Sequence, residues 1–493
     1  MAKTPVSTFT FGGMNNASDP ATVGAPTYQN RTYSACADIV NCDVDSSGNV
    51  SRREGSAVDV EAAVTSAGLG FCVVDGAINA YSAGVLTPLV GSPAVADVTE
   101  FLQVNDIVVF SDDTTIGYIK DDLPTILSSS TEADDILDLE AWVASTYPAG
   151  AEVTESNMEI DAFAMSTRPG YCLEFYNGAV YMARQVTNDT GVAWFVFCTK
   201  TFNAAKEDDR FNVVAGFKDQ ITMIKAVNDG IFVGTLGGTF FLSGDGVKGS
   251  AEGIRGFTQR KLNSFGAIYG SAAKVPGKKE KGSEIVMWLT ANGVYAGGDG
   301  GVCEDVSEDR ALVPAGLTAA AFVRQTGDDW HYVVSIAGAA LVVTLKTLHH
   351  SRYTGFSFNG FFSSGGHYYG TNADGVILLE GETDYAASAI DAYFSTPLTD
   401  FEAQELKRCA DAYLQVRTSG DMALDLYVDE AEVAVDIPFD GPFQIETGLR
   451  HLRAKLPRGA KGSSWQFKIK NVDGCRFTAF SLKVPPVVSG RTI

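Results

Sequence analysis

Seven times between Asp75 and Asp374 the chain repeats one local pattern: an apolar run, an Asn or Asp usually followed by Gly, then a second apolar run. The copies are GFCVVDGAINAY at Asp75, LQVNDIVVF at Asn105, CLEFYNGAVYMA at Asn177, IKAVNDGIFVGT at Asp229, IVMWLTANGVYAGG at Asn292, RQTGDDWHYVVS near Asp328 and YYGTNADGVILLEG at Asp374. Such dipeptides take positive φ at low cost and match the twist of paired strands, so each copy predicts a β-hairpin. The spacing averages about 50 residues, close to one propeller blade of roughly 40–50. An irregular β-propeller is therefore expected for the middle of the chain, with a generic β-sandwich as the alternative.

Composition agrees with an all-β chain. Glycine occurs 51 times in 493 residues, Val, Thr, Tyr and Phe are frequent, and long helix-period stretches are scarce. One exception is TEADDILDLEAWVAS. Thr131 and Asp134 resemble a capping box, and Ile136, Leu139, Trp142 and Val143 fall at helical spacing, which predicts a helical insertion at about 122–170. After Pro397 the alternating segments AYLQVRT, ALDLYVD, SWQFKIKN and RFTAFSLKV predict a small C-terminal β-sandwich. The expected organisation is an N-terminal segment 1–60, an irregular propeller 61–395 and a sandwich 396–493.

No apolar stretch has the length of a secretory or transmembrane segment, so a chain made in the cytoplasm is expected, with no membrane partner. The eight scattered cysteines read as buried free thiols. Formal charge is −23, but its distribution is uneven: from Ile445 to Ile493 ten Lys or Arg face two acids, giving +8 at this end and −31 elsewhere. Within it GLRHLRAKLPRGAK gathers Arg450, Arg453, Lys455, Arg458 and Lys461, which reads either as a solvated strand face and loop or as a surface for an anionic partner: the acidic body of a neighbouring copy, another protein or DNA phosphate. The second basic loop, VPGKKEKGS, reads as a solvated tip.

Catalytic signatures are missing. Five histidines include no HExxH, His349 and His350 are adjacent and face opposite sides of a strand, and neither a GxSxG elbow nor a P-loop occurs. SGDGVKGS does not complete the Asp-box of sialidases, although a glycosidase needs only two carboxylates and leaves no fixed motif. No catalytic residue and no cofactor is expected. DVDSSGNVSRRE does follow the ligand order of a calcium loop, with Asp43, Asp45, Ser47, Gly48 and Glu54 in place. Its flanks alternate like strands and Arg52 and Arg53 adjoin the last ligand position, so a hairpin turn is expected there and no metal.

The two ends carry a resemblance. FGGMNNASDP followed by ACADIVNCDVDSSGNVSRREG resembles the N-terminal signature of tail hub or nozzle proteins of short-tailed bacteriophages, the tail tubular protein B-like and DNA-stabilisation hub-like group. The match is carried by Gly12, Gly13, Asn15, Asn16, Asn41, Asp43, Asp45, Gly48, Arg52, Arg53 and Gly55. LTDFEAQELKRCADAYLQV and LRAKLPRGAKGSSWQFKIKN are similar to the closing segments of the same proteins. The resemblance implies a structural virion protein assembled in the host cytoplasm: a homohexameric ring below the portal and its adaptor. Such a ring extends the DNA-ejection channel and contacts fibres, spikes or a needle. Double-stranded DNA would pass without specific binding, and Arg52, Arg53 and the basic cluster 450–461 would serve subunit or adaptor contacts. A glycan- or receptor-binding propeller and a polysaccharide-cleaving glycosidase are the alternatives.

Overall fold

The computed structural model describes residues 7–9, 11–17, 27–28, 31–32, 34–96, 98–112, 114–126, 170–188, 191–200, 203–207, 213–244, 257–275, 284–307, 310–401, 406–441 and 448–488. Most of the expected helical insertion and the tip of the basic loop at 275–283 lie outside these residues. Within them regular structure is almost entirely antiparallel strand.

Seven small sheets follow one another. Blade 1 runs Val64–Gly68, Phe71–Val74, Ala77–Ser82 and Val85–Pro88; blade 2 runs Glu100–Val104, Ile107–Ser111, Ile116–Lys120 and Leu123–Ile126. Blade 3 comprises Tyr171–Tyr176, Ala179–Asn188 and Gly191–Lys200, with Asn203–Glu207 and Val213–Phe217 both pairing with the third strand. Blade 4 holds Ile221–Val227, Gly230–Thr235, Gly238–Ser243 and Thr258–Asn263; blade 5 holds Ala273–Val275, Ile285–Thr290, Gly293–Gly298 and Val302–Asp305. Blade 6 is Ala320–Thr326, Asp329–Ile336, Ala339–Thr344 and His349–Thr354. Blade 7 takes Gly360–Ser364, His367–Asn372 and Gly375–Leu378, and its outermost strand is Ala57–Val60.

Each of the seven turns read from the sequence falls in a different blade. Asp75, Asn105 and Asn177 hold φ of 50°, 53° and 42°, the left-handed conformation that the Asn/Asp pattern anticipates. Successive innermost strands pack around a common axis and Gly360–Ser364 returns to Val64–Gly68, so the ring closes. A cavity of about 300 Å³ on that axis is lined by Gly68, Phe101, Leu173, Ile224, Ala320 and Phe361 of six blades and by Tyr269, Gly270 and Ala272, which lead into blade 5.

The cores lie between blades, as flat sheets stacked radially require. Val73 and Phe110 join blades 1 and 2, Leu173 and Val109 join 2 and 3, Tyr181 and Ile224 join 3 and 4, and Phe232 and Trp288 join 4 and 5. Val333 with Ile377 and Cys72 with Tyr369 complete the circuit through blade 7. The junction of blades 5 and 6 merges instead with the largest core, where Leu289 and Val334 share a cluster with Leu414, Trp465 and Leu482.

That cluster belongs to a β-sandwich built from both chain ends. One sheet continues blade 6: His349–Thr354 pairs in parallel with Asp38–Val40, followed by Tyr393–Ser395, Trp465–Asn471, Met422–Val428 and Ala431–Asp440. The other contains Arg450–Lys455, Asp411–Thr418 and Phe477–Val484, extended by Val50–Arg52, Cys42–Val44 and Ser7–Phe9. The boundaries expected at 60 and 395 shift accordingly. Ala57–Val60 belongs to the propeller, because Ile377 and Val376 need a strand on their open edge, and Tyr393–Ser395 belongs to the sandwich.

Candidate functional site

The DVDSSGNVSRRE stretch is a hairpin at the seam between sandwich and propeller. Cys42–Val44 pairs with Val50–Arg52, and Asp45 closes the turn by accepting from the backbone N–H groups of Ser47 at 2.8 Å and Asn49 at 2.9 Å. Gly48 sits at φ 81°. Asp43 points away from that turn into blade 6. Arg324 Nη2 donates to both its carboxylate oxygens at 3.0 Å, the Tyr353 hydroxyl donates to Oδ1, and His331 Nδ1 lies 3.7 Å away. The two acids that head the calcium-like pattern therefore serve different partners, and a buried guanidinium occupies the place a cation would need.

Burial alone would raise the Asp43 carboxyl, but Arg324, His331 and Tyr353 together hold it below its usual value. Around it the seam is dense in hydrogen bonds. Asn41, at φ 54°, donates from Nδ2 to Asp391 O at 2.7 Å and accepts at Oδ1 from Thr354 N at 2.9 Å and from Arg53 Nε at 3.2 Å. The Arg53 guanidinium also lies over the rings of Tyr353 and Phe356. Arg52 donates to Glu382 O at 2.6 Å and pairs with the Glu382 carboxylate at 3.1 Å; Arg476 joins Glu382 and Glu54, each at 2.8 Å.

Arg52 and Arg53 were expected to reach a neighbouring subunit. Both side chains are instead enclosed within this chain, at 6% and 3% exposure, because folding brings Glu382 onto Arg52, and Tyr353 and Phe356 onto Arg53 beside the Asn41 amide. Glycine matters at two nearby places. At Gly13, φ 84°, a Cβ would stand 2.9 Å from His350 N, and at Gly55 it would stand 2.3 Å from Thr383 O. The first lets the N-terminal strand lie over His349 and His350. Burial, with Arg310 nearby, pushes both of these imidazoles down to about 4.

The remaining expected contact residues lie at the surface of the sandwich. In Arg450–Lys455 the side chains of Leu452 and Ala454 face the core, while His451, Arg453 and Lys455 face solvent, a clean period of two. Arg453 bridges to Asp411 at 2.7 Å and Lys455 to Asp440 at 3.6 Å, and Arg458 and Lys461 are exposed in the following loop. Cross-strand register places Tyr413 between Arg453 and Lys483, so an aromatic ring sits within a basic row. Sequence reasoning found the arginines and missed Tyr413, whose neighbours are distant in the chain.

The axial cavity holds the other concentration of polar groups. Glu100 accepts from Cys172 N at 3.0 Å, Leu173 N at 2.8 Å and the Tyr269 hydroxyl at 2.5 Å, which ties blade 2 to blade 3 and to the entry of blade 5. Glu174 is paired with Lys274 at 2.8 Å and Lys225 at 3.6 Å. These carboxylates are engaged as inter-blade ties. Among the described residues no three or more His, Cys, Asp or Glu side chains gather as a metal site, and all eight cysteines are free, six of them buried.

No protein-family model and no curated protein matches the sequence. Solved structures match at low similarity. The extracellular domain of a one component system from B. thetaiotaomicron is 9% identical with a TM-score of 0.39, over 89% of this chain and 64% of that one. A virginiamycin B lyase from Staphylococcus aureus is 10% identical with a TM-score of 0.37, over 72% and 97%. The AfRom2 CNH domain is 8% identical with a TM-score of 0.34, over 66% and 93%.

Proposed function

We propose that this chain is a structural tail-hub or nozzle subunit of a short-tailed bacteriophage, acting as a homohexameric ring that extends the DNA channel below portal and adaptor. The observation that carries this reading is where the residues of the resemblance lie. Asn41, Asp43, Arg52, Arg53 and Gly55 lie in the seam that fixes the propeller to the sandwich, Asp45 and Gly48 shape the hairpin that carries it, and the sandwich is itself woven from the N-terminal and C-terminal segments that match. A seam of this kind suits a load-bearing part, in which two modules must keep one relative orientation. Arg352 reinforces it through paired hydrogen bonds to Asp38 at 2.6 and 3.0 Å.

Charge supports the same reading. A ring of six chains at −23 each repels DNA over distances comparable to a Debye length of roughly 8 Å, so a duplex slides without being held. The solvent face of the basic strand Arg450–Lys455 then serves protein contacts. Electron microscopy of the purified protein mixed with its portal and adaptor is the test: six-fold rings seated on the adaptor are expected, and isolated particles that never join it defeat the proposal.

A receptor- or glycan-binding propeller is the second reading, favoured by the axial cavity of about 300 Å³. Glycan-array binding abolished by Phe101→Ala or Phe361→Ala would select it. Turnover of a capsular polysaccharide would select a glycosidase.

A further inference from the structure

The strand Ala431–Asp440 is the most exposed of the sandwich; only Phe439 is buried. One edge pairs with Met422–Val428, while the other meets a strand only where Phe439 and Asp440 face Ala454 and Arg453. Among the described residues the edge of 431–437 is open. Val433 and Val435 stand on it at 43% and 49% exposure. Bare edges with apolar side chains invite pairing, and proteins normally cover them.

The same segment is acidic throughout: Asp429–Leu449 contains six carboxylates and no Lys or Arg. Asp429 is used by Ser463 and Ser464, and Asp436 by Lys470 at 2.7 Å. Glu430 and Glu432 are exposed at the hairpin tip, where the Tyr427 hydroxyl donates to Glu432 at 3.4 Å. Glu430 even holds φ 65°, a conformation glycine would adopt with less strain.

The opposite sheet offers the complement: the solvent face on which Arg453, Tyr413 and Lys483 lie in one cross-strand row beside Lys455. Tyr413 is 36% exposed, a rigid aromatic flanked by the exposed Lys483 and by Arg453 and Lys455, which also pair with Asp411 and Asp440 at the rim. A ten-residue strand spans about 30 Å, so the tip of a copy does not reach its own basic face.

We infer that these two surfaces are the halves of a head-to-tail contact between copies of this chain: the acidic, valine-bearing tip at 430–435 docks on the basic face centred on Tyr413 of the next copy. Because the two patches differ, the contact is heterologous, and repeated with a rotation that closes it builds the ring proposed above. Opposite charges give orientation and speed of encounter; the valines and the tyrosine supply the desolvated centre. With a −31 body, a local reversal of sign at the contact favours the approach of copies in this orientation. The inference rests on the ring proposed above and names its interface.

Two variants test it: Glu430→Lys with Glu432→Lys on the tip, and Arg453→Glu with Lys455→Glu on the face. Mass photometry and sedimentation give the assembly state, and circular dichroism melting establishes that each variant folds. Each variant alone is expected to associate more weakly than the unaltered chain by roughly tenfold or more. A 1:1 mixture of the two restores rings, since every tip then meets a face of opposite sign on the next copy. Folded variants that assemble like the unaltered chain overturn this interface and leave the ring standing. An unaltered chain that stays monomeric at every concentration, alone and with its adaptor, overturns both.

Discussion

Asp43 and Arg324 are 281 residues apart in sequence, yet Arg324 Nη2 donates to both carboxylate oxygens of Asp43 at 3.0 Å inside the seam between propeller and sandwich. Removing one partner of a buried pair strands the other charge, which typically costs about 3–5 kcal/mol. Asp43→Asn is therefore expected to lower the melting temperature sharply, whereas Asp45→Ala, which loses only turn hydrogen bonds, costs about 1 kcal/mol. Thermal denaturation with and without calcium completes the check, because no calcium-dependent stabilisation is expected from this loop.

Acid acts on the seam in two windows. The folded values of His349 and His350, about 4, lie below the unfolded 6.5, so the unfolded chain binds more protons between those limits and stability falls as pH drops from 6.5 to 4. Each imidazole contributes up to about 3 kcal/mol of that loss. The Asp43 carboxyl has a depressed value, so its contribution is complete above 3.8 and disappears only below it. Melting temperature measured against pH should show the first decline, and His350→Leu should flatten it; an unchanged slope would contradict the assignment.

Gly55 has no room for a side chain. A Cβ would lie 2.3 Å from Thr383 O and 2.6 Å from Gly381 C, both main-chain atoms that cannot move aside cheaply. Gly55→Ala is expected to destabilise by about 1–3 kcal/mol. Chemical denaturation should register it as a lower midpoint with unchanged slope.

The propeller is closed by strand exchange across the chain: Val60, Val58 and Ala57 pair with Val376, Ile377 and Leu378. A chain that starts after Val60 leaves that edge bare and the sandwich short of its N-terminal strands. It should lose cooperative unfolding and bind hydrophobic dye. Cooperative melting at the original temperature would show that the closing strand is dispensable.

The seven hairpin turns were legible from the apolar runs that flank each Asn or Asp, three of which (Asp75, Asn105 and Asn177) take the left-handed φ these residues favour, and the turns fall one to a blade. The partner of Asp43 was not legible, since nothing near residue 43 marks Arg324 or Tyr353. For the same reason Arg52 and Arg53 read as surface charges. An arginine looks exposed in sequence until its carboxylate or ring arrives from elsewhere, and Glu382 is 330 residues away from Arg52. The basic strand was easier to read: alternation with Leu452 and Ala454 fixes which side of Arg450–Lys455 faces solvent.

The central claim is that six of these chains make one ring around a passing duplex. Cryo-electron microscopy of the protein assembled with its portal and adaptor addresses it most directly. The account predicts a six-fold ring with an open axial channel, the sandwiches side by side and the tip of Ala431–Asp440 against the neighbour's Tyr413 face. Monomers that bind or cleave a surface polysaccharide, with no ring on the tail, would contradict it.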